Sequence, residues 1–95
     1  MSRFWRVQPK GTKLFGHRSG LAYEKQEGIF AFEDPMLLFD TYTWIKVKKD
    51  LDAYEMVVFE GRVLARPEDS EGVVVHPLRE RSRMPMRRWL ETIEG

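Results

Sequence analysis

The sequence predicts an α+β domain in which a mainly antiparallel sheet of four to five strands carries two packed helices. Three observations lead there. Residues 28–44, GIFAFEDPMLLFDTYTW, pass from an apolar strand pattern to helical spacing at an Asp-Pro boundary. Residues 54–66, YEMVVFEGRVLAR, are dense in β-formers and interrupted at Gly61. Pro85 then opens a last apolar stripe of Met86, Trp89, Leu90 and Ile93 at helical spacing. Helices on one side of an antiparallel sheet satisfy this order of elements.

Each element has its own justification. Residues 3–8, RFWRVQ, form a first strand stopped by Pro9, with Trp5 and Val7 as the apolar, core-facing set and Arg3 and Arg6 on different faces. Residues 10–27 read as a long loop, or a loop with one short strand, punctuated by Gly11, Gly16 and Gly20, and loops of this length in small domains are commonly functional. Residues 28–32 are the second strand. Asp34 caps and Pro35 opens a helix over residues 35–48, whose inner face carries Leu37, Leu38, Thr41, Trp44, Ile45 and Lys48. Phe39 and Tyr42 fall off that face and are the aromatic residues expected to be partly exposed. Gly61 marks a bulge, a bend or a turn within the next strand region. Residues 66–72, RPEDSEG, are an acidic turn, and residues 73–76 a further short strand ended by Pro77.

A chain of 95 residues holds one domain, and aromatic residues at 13%, including Trp5, Trp44 and Trp89, supply enough apolar area for its core. The chain has no cysteine, so disulfides, thiolate metal sites and a Cys nucleophile are excluded. Two histidines, His17 and His76, are too few for a convincing zinc site, and neither a metal nor a cofactor is expected. Residues 1–11 carry no apolar signal segment, and no run approaches the roughly 18 to 20 apolar residues of a membrane helix. A cytoplasmic protein without membrane contact is the expectation.

Net charge is only +1, but its distribution is uneven. Basic residues gather at Arg3, Arg6, Lys10, Lys13 and Arg18 and again at Arg79, Arg81, Arg83, Arg87 and Arg88, with acidic residues between positions 50 and 71. The sequence contains no high-specificity catalytic motif, so the first expectation is a small non-enzymatic protein–protein interaction module. Compact cysteine-free domains of this kind are common among phage or mobile-element inhibitors of host machinery. Its contact candidates are Arg79, Arg81, Arg83, Arg87, Arg88 and the acidic turn Glu68, Asp69 and Glu71. Placed at the start of a helix, the arginines oppose the macrodipole, which points to acidic partners in another molecule or elsewhere in the fold. If the two basic ends meet in space, they would instead form one positive face for nucleic acid. A strand at residues 73–76 would also allow edge-to-edge pairing in a symmetric homodimer.

The loop Gly16-His17-Arg18-Ser19-Gly20 places an imidazole, a guanidinium and a hydroxyl between glycines, which suits an anion or proton-transfer site. Together with FWRVQPKG, GIFAF and VVVHP, this string resembles small bacterial and phage proteins with a reduced ADP-ribosyltransferase-like fold. The resemblance implies NAD contacts from Arg6 and from Ser19 or Tyr23, with His17 and Arg18 beside them. It implies an acceptor-orienting carboxylate at Glu60 or Glu71. The Ser-Thr-Ser segment and the Glu-x-Glu loop of that larger family are absent from this chain.

Overall fold

The computed structural model describes residues 2–14 and 28–94. It contains a four-stranded antiparallel sheet built from β1 (Arg3–Pro9), β2 (Ile29–Ala31), β3 (Tyr54–Ala65) and β4 (Val73–Pro85), in the order β1-β3-β4-β2. Two helices, α1 (Tyr42–Val47) and α2 (Met86–Glu94), complete the α+β arrangement, with 3-10 turns at Pro35–Asp40 and Leu51–Ala53. No described helix is long and apolar enough to cross a membrane.

β3 and β4 pair antiparallel with three shifts of register. Val58 and Phe59 face Ser82 and Glu80, Glu60 and Gly61 face Arg79 and Pro77, and Val63 and Ala65 face Val75 and Val74. Arg81, Leu78 and Leu64 are therefore extra residues at three bulges. Bulges bend a strand and raise its twist. The curl carries β2 round to β1, where Trp5 and Phe32 exchange backbone hydrogen bonds of 2.9 and 2.8 Å. The sheet closes on itself as a narrow barrel.

At Gly61 a side chain has no room, because an added Cβ would stand 2.7 Å from the His76 carbonyl oxygen and against Val75. The glycine lies within a continuous strand at one of the register shifts, allowing the two backbones to approach.

Among the described residues, two apolar clusters form the core. Inside the curl lie Phe4, Leu14, Ile29, Ala31, Val57, Phe59, Val73 and Val75. Between the outer face and the helices lie Phe32, Leu38, Val47, Met56, Met86 and Trp89, with Trp5, Val7 and Trp44 packed against them. Phe39 ties this layer together, edge-on to Trp44 at 4.8 Å and stacked on Trp89 at 6.0 Å.

Several sequence expectations are corrected here. Phe4, Arg6 and Gln8 form the buried set of β1, whereas Trp5 and Val7 are half-buried under the helical layer. Both faces of this strand are covered, so hydropathy alone did not distinguish inside from outside. The expected helix over residues 35–48 is two pieces, because Thr41 adopts extended backbone and its hydroxyl donates to the Leu38 carbonyl at 2.6 Å. A side chain that satisfies the last carbonyls competes with continuation of the helix. The break resets the phase, so Val47 is buried and Ile45 exposed. The strand expected at residues 73–76 runs on through Pro77 to Pro85. Its first residues, Val73 to Val75, are flanked by β2 and β3 and present no free edge for pairing with a copy.

Candidate functional site

Strand alternation places Arg6 and Gln8 on the inner face of β1, opposite Val57 and Glu55 of β3. Arg6 is only 7% exposed. Its guanidinium donates to the Phe30 carbonyl at 2.6 Å and, through Nε, to Gln8 Oε1 at 3.3 Å. Gln8 in turn donates to the Thr12 carbonyl and hydroxyl at 2.7 and 3.0 Å. Arg83, across β3 from Arg6, donates to the Thr12 carbonyl at 2.6 Å, to Glu55 Oε1 at 2.5 Å and to Glu80 Oε1 at 2.6 Å. The Gly11 N–H donates to the same Glu55 oxygen at 3.2 Å. This chain of bonds fixes the turn after β1 to the middle of the sheet. Among the described residues no buried side-chain nitrogen or oxygen lacks a hydrogen-bond partner.

Of the positions implied by the transferase resemblance, Arg6 and Glu60 lie on opposite faces of the sheet. Glu60 pairs with Arg3, one face removed from Arg6, and bonds to Arg81 at 3.3 Å. Glu71 is exposed in the turn between β3 and β4. His17, Arg18, Ser19 and Tyr23 lie outside the described residues.

The arginine cluster is divided. Arg79, Arg81 and Arg83 belong to β4 and only Arg87 and Arg88 to α2, so the expected crowding of arginines at a helix start is not what the fold contains. The two basic ends do come together, since β1 and β4 flank β3, but the carboxylates of β3 stand between them. Arg3, Glu60 and Arg79 form one cross-strand row. Arg81 pairs with Glu60, Arg83 with Glu55 and Glu80, and Arg87 with Asp52 at 3.0 Å. The Glu80 and Glu55 hydrogen bonds hold Arg83 above the ordinary guanidinium value against its partial burial. Arg87 lowers the Asp52 carboxyl in the same way. Of the five, Arg79 and Arg88 are exposed and take part in no ion pair among the described residues.

A different surface is left uncovered. Tyr42 at the start of α1 is 90% exposed and Ile45, one turn on, is 45% exposed. With Phe39, Asp40 and Thr41 they line a shallow groove of about 320 Å³. Lys46 within α1, and Lys48 and Lys49 in the turn after it, are exposed and outside any ion pair among the described residues. Tyr42, Ile45, Lys46 and Lys49 follow helical spacing of three, four and seven positions, so the apolar and basic groups share one side. Sequence reasoning anticipated the exposure of Tyr42 but placed Ile45 inward. Counting helix phase from Tyr42 rather than Pro35 recovers the stripe, and the signal is Thr41, whose β-branched hydroxyl side chain interrupts the run.

No family model, curated protein or solved structure matches this chain.

Proposed function

We propose that the chain is a small non-enzymatic protein–protein interaction module whose contact surface is the outer side of α1. The supporting observation is the exposed pair Tyr42 and Ile45 beside a groove and lysines that are outside any ion pair among the described residues. A large aromatic side chain left almost wholly in water costs solubility and gains nothing in the isolated fold. Burial against a partner recovers that area, and tyrosine loses little side-chain entropy when it is fixed. The arginines supply less, because Arg81, Arg83 and Arg87 are held by carboxylates of the same chain. Arg79, Arg88 and the acidic turn Glu68, Asp69 and Glu71 stay available as flanking charge.

The test is a photo-crosslinking amino acid placed at Tyr42 and, as a control, at exposed Leu78, in the full chain expressed in cells. The expected result is a discrete adduct from position 42 that disappears with Ile45→Asp and is absent from position 78. The same adducts from both positions, or none from position 42, would overturn the reading.

A further inference from the structure

Among the described residues, two of the exposed surfaces outside the internal ion pairs have complementary chemistry. One is the α1 face, with Tyr42, Ile45 and the lysines Lys46 and Lys49. The other is the turn between β3 and β4, where Glu68, Asp69 and Glu71 are exposed and outside any ion pair among the described residues. Beside it Leu64, the extra residue at a bulge, is 42% exposed. Arg66, at the base of that turn, is occupied by Glu33.

We infer that the partner is a second copy of this chain, the acidic turn and Leu64 of each copy seating on the α1 face of the other about a two-fold axis. This rests on the reading of the chain as an interaction module. The carboxylates of the turn meet the ammonium groups of Lys46 and Lys49, and the Leu64 side chain meets Tyr42 and Ile45 at the groove. Arg62, also exposed and outside the ion pairs, lies two residues before Leu64 and supplies a cation for Asp40 in the groove wall. That aspartate disfavours a phosphate-bearing occupant, which would meet a negative charge where it needs a donor.

The topology supports closure as a dimer. The Glu33–Arg66 pair ties the segment entering the 3-10 turn Pro35–Asp40 to the β3–β4 end of the barrel. From there the chain crosses α1 to Leu51–Ala53, at the other end of β3. The negative and positive groups are thus separated along the molecule, and antiparallel apposition puts each over its complement twice. An isologous contact of this kind uses both surfaces and leaves neither for a third copy.

Sedimentation equilibrium on the full chain tests this. A monomer–dimer equilibrium is expected somewhere between about 1 μM and 1 mM, weakening as salt rises. Lys46→Glu with Lys49→Glu, and separately Glu68→Lys with Glu71→Lys, should each weaken the dimer at least about tenfold with unchanged circular dichroism. An equimolar mixture of the two variants should dimerise again, because both contacts then pair opposite charges. A monomer throughout the range, variants that dimerise like the parent, or a mixture that stays monomeric would each overturn the inference. A monomeric parent whose Tyr42 crosslinks to another protein would overturn the second copy while leaving the interaction module intact. No adduct from Tyr42 at all would remove both.

Discussion

Replacing Arg83 by Met tests whether the inner polar network fixes the fold or merely decorates it. The arginine spends three hydrogen bonds on the Thr12 carbonyl, Glu55 and Glu80. Its loss leaves the Glu55 carboxylate, whose side chain is 11% exposed, with the Gly11 N–H as its one remaining donor among the described residues. Removing one member of a fully buried pair costs about 3 to 5 kcal/mol. Arg83 keeps 23% of its side-chain surface, and water reaches Glu80. Solvent access reduces the expected cost to about 2 to 3 kcal/mol. Glu55→Gln alone should cost about 1 kcal/mol, since the amide still accepts from Gly11 and Arg83. Combining the two should cost less than the sum by about 1 kcal/mol, because the stranded charge is gone. Urea unfolding followed by tryptophan fluorescence reads this directly. With a slope of about 1 kcal/mol/M, Arg83→Met should lower the midpoint by about 2 M. A shift below about 0.5 M, or strict additivity in the double variant, would refute the claim that these groups are energetically coupled.

Three further outcomes are expected. Gly61→Ala should destabilise by about 1 to 3 kcal/mol, seen as a Tm lowered by at least 4 °C, because the new methyl meets the His76 carbonyl and Val75; an unchanged Tm would mean the strands part freely there. Asp34→Ala should cost about 1 kcal/mol by urea unfolding, because Asp34 Oδ1 accepts the Met36 N–H at 2.9 Å, and Asp34→Asn should recover most of it; equal loss in both variants would point away from capping. Hydrogen bonds from Arg66 and Arg87 lower the Glu33 and Asp52 carboxyls below their ordinary values of 4.5 and 3.8. Groups depressed in the folded state stabilise it above their unfolded values and lose that contribution as pH falls through the folded ones. Stability at low salt should therefore decline below about pH 5, and less steeply in Glu33→Gln with Asp52→Asn. Parallel acid limbs would show that the exposed pairs contribute nothing.

The strands and the helix starts were legible because local chemistry announces them. Asp34 and Pro35 mark a helix start, Pro85 opens α2, and the runs at the first and third strands are dense in β-formers. What was not legible depends on packing from outside the segment. Arg6 and Gln8 lie inside because the Phe30 and Thr12 carbonyls meet them there, and Trp5 gives up the inner face because the helices cover its own. β4 was foreshortened because Pro77 ordinarily ends a strand, whereas here it sits opposite Gly61 next to a bulge, where the ladder is already interrupted. Of the candidate contacts, the acidic turn and Arg79 were placed at the surface by charge alone. Charge conflict at the expected helix start pointed to acidic residues elsewhere in the fold as one of two alternatives, but not to which arginines they hold, because the carboxylate partners come from β3, β4 and the Leu51–Ala53 turn. The face on α1 was hidden by the continuous apolar spacing across Thr41.

Closure of the barrel through Trp5 and Phe32 orders the assembly of the molecule in time. The β3–β4 hairpin is local and can form as soon as its residues are available, whereas Arg3 must find Glu60 across more than half of the chain. Loop closure of that length precedes any reward from pairing, so the first strand docks late. During synthesis β1 emerges before its partners and must wait, unpaired, until β3 has left the ribosome. Anything fused ahead of Arg3 is carried by the last piece to lock, and refolding rate will report its presence before equilibrium stability does.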